Sequence, residues 1–458
     1  MQTGGFRSPA LAVIVCLLAP MPEDSRADDV ALGSIRLRGG YDANPQLLPG
    51  GKPSAFTGVD AAFALGRSSD SIKTGLTGEI QRADYAAREI DPSERMRVVL
   101  EAESEAFAGW ALKSRTGVES IRSYNLRSFE AEQEVRAQWI GGAVRPFVSA
   151  AARYATLNET NAILTDFLPD DLRFTRVTLI PGITALTPLG EFGASINLSA
   201  IRYSPTLDLF GYRRDNERVE PFLFYRWTDD LVSVSAAVSH VNGVWHDVDF
   251  TDLRATLFDL SLSMRSKDHP WRLELSGRRA VGETSFPISP VTVTETYAGK
   301  LTYAATDAWS LGLVARWLRT GYPDSPFSSR TVAYGVTGSY RIDDDWSLGA
   351  EIVRVNASAL DGMSVDSAVG SLSLSRRFDL TGAVSGKTAN LVTTAEPVTT
   401  DDPAMKRTAA TPSHAQTERS ARSAMPAPVS TQISNQVSNQ VSNQVPDSVP
   451  NPVATGVY

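Results

Sequence analysis

Apolar and polar residues alternate one by one along most of the chain between residues 34 and 378. In the segment TVAYGVTGSYRI, residues 331–342, the larger apolar side chains and one glycine occupy every second position, and the positions between them are mostly polar or small. A period of two places successive side chains on opposite faces of a β-strand. The pattern therefore predicts a strand with one apolar face, and it recurs in segments that begin at Ile72, Val232, Phe258, Trp271, Trp309 and Trp346.

The connections between these segments alternate between tight turns and mostly longer, polar loops. Soluble sandwiches also alternate, but their strands are usually shorter. Runs of about ten to fifteen residues suit tilted strands that cross a membrane, and short turns at one rim with long loops at the other are typical of outer-membrane barrels. We therefore predict an all-β fold: a transmembrane antiparallel β-barrel of about 18 strands, within a range of about 16 to 18, in residues 28–379. Its strands should start near Ser34 and finish at Phe378.

Six of the eight tryptophans lie within three residues of a tight turn. Aromatic rings with one polar edge favour the headgroup level of a membrane, where barrels carry aromatic girdles. A core tryptophan in a soluble sheet has no reason to prefer one end of every hairpin. The positions predict an interface girdle on the tight-turn side, formed by Trp110, Trp139, Trp227, Trp271, Trp309 and Trp346.

Charges on the polar faces of neighbouring strands match in sign. Mirroring the chain about the turn at Ala108 brings together Glu103 with Lys113, Glu101 with Arg115, and Arg97 with Glu119. Mirroring about Ser123-Tyr124 and about Gly141-Gly142 pairs Lys113 with Glu134, Arg115 with Glu132, and Glu130 with Arg153. Opposite charges on facing strands fix register, and charge avoids the lipid face. We call these ten residues the charge ladder and predict that they line the interior, as the wall of an aqueous channel or as the polar filling of a plugged barrel.

The two ends of the chain differ from the alternating body. Arg7, the apolar run ALAVIVCLLAP at 10–20 and a small-residue site at Ala27 are typical of a secretory signal peptide, predicted for residues 1–27. The only cysteine, Cys16, lies in that segment. Residues 380–458 are rich in Thr, Ser, Pro, Ala and Gln, and this composition predicts a disordered tail, in the periplasm.

Composition and motifs exclude several function classes. The formal net charge of −8 and the absence of a basic block argue against nucleic-acid partners. The segment SHVNGVWHD, residues 239–247, resembles the His-x-Ser-Asn-Gly stretch of outer-membrane phospholipases and lipid A deacylases, but it lacks the serine nucleophile. We therefore expect no enzymatic activity, no cofactor and no metal site.

The segment LRGGYDANPQ, residues 37–46, resembles the opening of the beta-barrel porins, type 2. The likeness rests on Gly40, Tyr41, Asp42, Asn44 and Pro45, together with the repeating hairpin plan. The resemblance implies a Gram-negative outer-membrane barrel without catalytic residues. Such barrels usually end on an aromatic residue, so Phe378 is expected to act as the signal for the barrel assembly machinery, although in this chain residues 379–458 follow it.

Together these features predict a passive, porin-like channel for small hydrophilic solutes in the lipid of the cell outer membrane. A loop at residues 157–171 is expected to narrow it. The alternative is a structural or scaffolding barrel, linked through its periplasmic tail to peptidoglycan or to a polysaccharide-export complex. The tail favours this alternative, because a pore needs no such appendage.

Overall fold

The computed structural model describes residues 28–379, except for short segments at 48–49, 69–71, 106–108, 124–125, 160–171, 209–210, 267–269, 286–288, 324, 326–327 and 359–363. The predicted signal peptide, the predicted tail and most of the predicted 157–171 constriction lie outside these residues. Within them, no helix has the length and apolar character needed to cross a membrane.

Eighteen antiparallel strands form one sheet, and the sheet closes because β1 pairs with both β2 and β18. This confirms the predicted barrel. The first strand begins at Asp28, six residues earlier than expected, and the last ends at Asp379. In chain order the strands are β1 Asp28–Asp42, β2 Ser54–Ser68, β3 Ile72–Tyr85, β4 Ser93–Glu105, β5 Trp110–Arg122, β6 Leu126–Trp139, β7 Val144–Glu159, β8 Leu172–Thr187, β9 Gly190–Ser204, β10 Asn216–Thr228, β11 Val232–Trp245, β12 Leu253–Arg265, β13 Trp271–Glu283, β14 Val291–Ala304, β15 Trp309–Gly321, β16 Ser328–Arg341, β17 Trp346–Ser358 and β18 Ser364–Asp379.

The connections fall on two rims. Eight turns of two to five residues join β2 to β3 and every second pair after it, and nine connections at the opposite rim complete the barrel. We call these the turn side and the loop side. Because the number of strands is even, β1 starts and β18 ends on the turn side. The segment of β8, whose alternation is weak in the sequence, still pairs along its length with β7 and β9.

Burial shows which face of each strand points into the barrel. In β10, Arg218, Phe222 and Phe224 are buried, whereas Val219 and Leu223 between them are exposed. A single closed sheet can bury a side chain only on its inside, so the buried parity is inward. The outward face is therefore apolar along most of the strand, which is the arrangement that a lipid-facing surface requires.

The register agrees with the mirror positions at one hairpin and differs at two. In β4–β5, Arg97 is opposite Glu119, Glu101 is opposite Arg115, and Glu103 is opposite Lys113, as mirroring about Ala108 predicts. In β5–β6, however, Lys113 is opposite Arg136, Arg115 is opposite Glu134, and Gly117 is opposite Glu132. The predicted pairs Lys113–Glu134 and Arg115–Glu132 are therefore wrong by two residues.

The centre of each connection explains the difference. A hydrogen bond from Ser123 N to Leu126 O (2.8 Å) closes the β5–β6 loop, so its centre lies one position later than assumed. The β6–β7 turn is displaced in the same way, and Glu132 rather than Glu130 is opposite Arg153. A slip of two residues leaves each side chain on its face, whereas a slip of one would reverse it.

Candidate functional site: the barrel interior

The charge ladder lies on the inward parity of β4 to β7. The Glu101 carboxylate lies 3.5 Å from Arg115 Nε and 3.9 Å from Lys113 Nζ. Arg153 contacts Glu130 diagonally, despite the shifted register. The interior wall at these strands is therefore a network of opposite charges, in which long side chains reach beyond the residue directly opposite.

Arg95 belongs to this wall but was not among the predicted residues. It has the same parity as Arg97 and forms an ion pair with Glu119, with 2.8 Å between Nε and Oε1. Arg97 is directly opposite Glu119 in the register, but Arg95 makes the ion pair from the diagonal position. The alternation of β4 carries the signal that could have found Arg95, because it is the next inward position.

The loop-side half of the interior is partly occupied by the chain itself. Leu47, from the connection between β1 and β2, is 5% exposed and packs against inward residues of β15, β16 and β17, among them Val314, Ala333 and Val353. The loop-side end of β13, between β12 and β14, is the second element that enters the interior. The β12–β13 register ends at Phe258 opposite Arg279, although β12 continues to pair with β11 as far as Leu253.

Beyond Arg279, β13 pairs only with β14, and β14 stays paired with β15 as far as Val293, so the last two residue pairs form a two-stranded ribbon. We call residues 280–285 and 289–293 the inner ribbon. Its Ala280, Val281 and Val291 are buried in one apolar cluster with Phe222, Trp245 and other inward residues of β10 to β12. The ribbon therefore lies inside the barrel against the wall. It narrows the interior on the loop side; the narrowing expected from residues 157–171 falls mostly outside the described residues and stays a prediction.

Glu283, at the tip of the inner ribbon, reaches side chains from three wall strands. Its Oε1 lies 2.6 Å from Arg176 Nη2 of β8 and 2.8 Å from Arg218 Nη2 of β10. Its other carboxylate oxygen accepts a short hydrogen bond from the Tyr203 hydroxyl of β9. Beside it, Arg214 Nη1 donates to the carbonyl oxygen of Thr284 at 2.5 Å. The ribbon is thus held to the wall by charged hydrogen bonds as well as by apolar packing.

The turn-side half of the interior is exposed to solvent beside β12, β13 and β16 but buried beside β6 to β8, where Gln138 and Thr184 are 2% and 0% exposed. The inward residues Ser261 and Ser339 are exposed, and the pair Arg272–Glu274, at 2.9 Å, is about one third exposed. In the described part of the chain, a polar vestibule on the turn side therefore lies beside β12, β13 and β16, whereas the interior beside β6 to β8 is packed.

The predicted girdle tryptophans all occupy outward positions at turn-side strand ends. Trp110, Trp271, Trp309 and Trp346 begin their strands, Trp139 ends β6, and Trp227 is the next-to-last residue of β10. Trp110 and Trp139 pack edge to face with ring centres 5.8 Å apart. The sequence interpretation missed a second outward aromatic group, nearer the loop side. In it, the ring centres of Tyr297 and Trp317 are 5.4 Å apart. Its outward parity in the alternation would have shown it.

Phe378 faces outward near the end of the last strand. The Arg376 guanidinium lies 4.9 Å from the Phe378 ring centre and 5.1 Å from that of Trp346. The aromatic residue that closes β18 is therefore part of the outward aromatic surface on the turn side, packed beside one of the girdle tryptophans.

A set of arginines surrounds the loop-side rim on the outward face. Among the described residues, ten strands each carry one outward arginine within four residues of their loop-side end, whereas the turn-side ends carry two, Arg67 and Arg376. Carboxylates at this level are fewer, and ion pairs such as Arg202–Glu217 (2.7 Å) link the two kinds. We call the set the arginine belt: Arg82, Arg122, Arg127, Arg173, Arg202, Arg254, Arg279, Arg319, Arg330 and Arg354.

The histidine segment 239–247 is not gathered into one site. His240 faces outward with Nδ1 3.1 Å from Thr256 Oγ1, whereas His246 lies in the next loop, 3.7 Å from Glu217. The backbone N–H groups of Arg213 and Asp249 donate to Asp247 and hold the pKa of its carboxyl below the usual value. The described residues contain no group of three or more His, Cys, Asp or Glu side chains that could hold a metal ion.

No protein-family model and no curated protein matches this chain. Among solved structures, the FrpB iron transporter from Neisseria meningitidis is similar over 71% of this chain and 63% of its own, with 7% identity and a TM-score of 0.41. The outer membrane protein OpdK from Pseudomonas aeruginosa gives 10% identity and a TM-score of 0.40, over 76% of this chain and 99% of its own. OccK2 (OpdF) from the same organism, solved with glucuronate, gives 10% and 0.39, over 77% and 97%.

These similarities do not assign the chain to a family, and the resemblance to the beta-barrel porins, type 2, stays a prediction. The chain spans less than two thirds of the length of FrpB. What the structure establishes by itself is the architecture: an even number of antiparallel strands, full closure, short turns on one rim, and an apolar outer face. This combination is that of outer-membrane barrels.

Proposed function

We propose that the protein is a passive channel for small hydrophilic solutes in the outer membrane of a Gram-negative cell. One observation carries the proposal: a closed sheet of 18 strands has an apolar outward face and a charged inward face. Barrels of 16 to 18 strands are wide enough for an aqueous lumen. Opposite charges on the charge ladder give little selection for one sign of ion, so diffusion of polar solutes is the role that this wall supports.

The orientation follows from the two rims. In outer-membrane barrels the long loops are extracellular and the short turns periplasmic. The arginine belt on the loop side supports the same orientation, because its charge suits a leaflet rich in anionic headgroups. Both ends of the barrel are then periplasmic, and a tail following Asp379 starts in the periplasm.

Conductance of the purified full-length protein in planar bilayers tests the channel. We expect discrete open-channel steps that are small for an 18-stranded barrel, because the inner ribbon and Leu47 narrow the loop side. The conductance steps should become larger when the ribbon tip is shortened by deleting residues 284–290. The heat-modifiable gel shift shows whether the variant barrel is folded. If neither protein shows steps at any voltage, the barrel is closed and the channel proposal fails.

A structural barrel is the second candidate, and the chain segments that occupy part of the loop-side interior favour it. In this role the barrel anchors the tail, and the tail binds peptidoglycan or a polysaccharide-export complex. Full-length protein and a variant lacking residues 385–458 separate the roles. Loss of peptidoglycan co-sedimentation without a change in permeability supports scaffolding, whereas equal co-sedimentation of both proteins contradicts it.

A further inference from the structure

The groups that hold Glu283 belong to the barrel wall and not to the inner ribbon. Arg176, Tyr203 and Arg218 lie on three consecutive strands, β8 to β10, which are paired above and below these positions. All three side chains are buried. Because continuous sheet pairing fixes their backbones, the three side chains extend from fixed positions of the wall whether or not the ribbon is present. The wall therefore presents a preformed receptor, and Glu283 is a separate occupant.

The contacts are those that recognise a carboxylate. One oxygen of Glu283 lies against two guanidinium groups, and the other accepts a hydroxyl hydrogen bond. Charge-assisted hydrogen bonds from arginine are among the stronger and more directional polar contacts in proteins. Both oxygens are engaged, so the arrangement suits one carboxylate group.

The local charge also favours an anion. Near the receptor, Arg153 pairs with Glu130, and Arg214 pairs with Asp208 at 2.9 Å. With Glu220, two residues after Arg218 on the inward face, these arginines and the two of the receptor balance the neighbouring carboxylates when Glu283 is in place, and they exceed them by one without Glu283. Buried arginines that lose their partner destabilise the fold, so the ribbon leaves readily only when another anion takes its place.

We propose that Arg176, Arg218 and Tyr203 form a binding site for the carboxylate of a small acidic solute, and that Glu283 occupies this site as an internal ligand. The proposal rests on the proposed channel and names its substrate class. A solute carboxylate exchanges with Glu283, and the exchange displaces the ribbon tip from the narrow part of the interior. A site that is vacant about a tenth of the time binds its ligand about tenfold more weakly than a site that is always vacant. By occupying the site, Glu283 therefore also sets the apparent affinity for the solute.

Chemical rescue of Glu283→Ala tests the site directly. This substitution removes the carboxylate and leaves space beside the arginines. Acetate fits this space and replaces the missing charge, whereas neutral acetamide does not replace the charge. In full-length protein, we expect acetate to raise the thermal unfolding midpoint of Glu283→Ala relative to chloride at equal ionic strength, as binding to the folded state does. For Glu283→Ala, the acetate concentration that gives half of the stabilisation should be at least about tenfold lower than the concentration that first affects the unsubstituted protein.

Two further variants make the test specific. Glu274→Gln removes a carboxylate from the same strand on the open turn side and should show no acetate response. Adding Arg218→Gln to Glu283→Ala should abolish the response, with the gel shift showing that the barrel is folded. If Glu283→Ala does not fold in chloride, recovery of the folded band with acetate but not acetamide is the same readout. Equal effects of acetate, acetamide and chloride overturn the proposal.

Liposome swelling separates this proposal from the channel itself. Gluconate and sorbitol have the same carbon number, and only gluconate carries a carboxylate. We expect the ratio of gluconate to sorbitol entry to be higher for Glu283→Ala than for the unsubstituted protein, and unchanged for Glu274→Gln. If no solute enters any vesicle while acetate still rescues stability, the channel is wrong and the site stands. If sorbitol enters and acetate does not rescue, the site is wrong and the channel stands.

Discussion

Arg95 and Glu119 form an ion pair inside the barrel, with 2.8 Å between Arg95 Nε and Glu119 Oε1. The two residues are on neighbouring strands but not opposite each other, since Arg95 is opposite Ile121 in the register. Their side chains are 3% and 7% exposed. The charged wall is therefore packed protein at this point. Each charge is stabilised by its oppositely charged partner and not by water.

Removing one partner of this pair should destabilise the barrel strongly. Glu119→Gln removes the carboxylate charge that lies 2.8 Å from the buried Arg95 guanidinium, and we expect a loss of about 3–5 kcal/mol in the free energy of unfolding. The double variant Arg95→Met/Glu119→Leu should lose less. Denaturant unfolding in detergent measures both. Asp366→Asn is the matched control, because the Arg354–Asp366 pair is more than half exposed and should contribute about 0–1 kcal/mol. Equal losses at the two sites contradict the interpretation.

Tryptophan depth tests whether the outward face contacts lipid. Trp309 and Leu313 both face outward on β15 and are about half exposed, and they lie roughly 13 Å apart along the strand. In protein whose other tryptophans are replaced by phenylalanine, Trp309 should be quenched most by lipids brominated near the headgroup. Trp309→Phe/Leu313→Trp in the same background should be quenched most by deeper bromines.

Trp245 supplies the control for this experiment. It is 7% exposed and lies on the inward face of β11. A protein that keeps only this tryptophan should be quenched by neither lipid. If the Trp309 protein behaves like the Trp245 protein, the outward face does not contact lipid and the membrane assignment fails.

Phe378 should affect assembly more than stability. It faces outward on the last strand, where an aromatic residue is expected to be read by the barrel assembly machinery. Phe378→Ala should lower the fraction of folded, heat-modifiable protein in cell envelopes. Phe129→Ala, on the outward face of β6, is the control, since it removes an outward ring that is more exposed than Phe378 from another strand. The same yield for both variants argues against an assembly role.

The strands and their faces were predictable because a closed single sheet imposes the same rule everywhere. Lipid on one side and a polar interior on the other require a period of two at each strand, independent of distant contacts. Register was less accessible. The β4–β5 hairpin was placed correctly, but the centre of the β5–β6 loop depends on the hydrogen bond between Ser123 and Leu126, which the alternation does not reveal.

The inner ribbon could not be predicted for a related reason. Glu283 has the same parity as Trp271 and Leu275, so the alternation places it on the lipid face. It points inward because β13 leaves β12 after Arg279 and packs on Phe222 and Trp245, which are distant in sequence. A carboxylate at an outward position was the available signal, but the wall arginines that it contacts come from strands up to 107 residues away.

The arginine belt should bind anionic lipid on the loop side. Each arginine near a charged membrane surface contributes about 1 kcal/mol, and this contribution falls as salt increases. Arg319 and Arg330 are opposite each other on β15 and β16, both exposed and outward. We expect Arg319→Gln/Arg330→Gln to lower the thermal stabilisation that lipopolysaccharide gives over phosphatidylcholine.

The control is Arg67→Gln/Arg376→Gln, which removes the two outward arginines of the turn side. In vesicles with lipopolysaccharide only in the loop-side leaflet, this variant should keep the stabilisation unchanged. High salt should remove the difference between the two double variants, because screening acts on exposed charges. If both double variants lose the same stabilisation, lipopolysaccharide does not distinguish the rims. The proposed orientation would then rest on loop length alone, without support from the charge on the outward face.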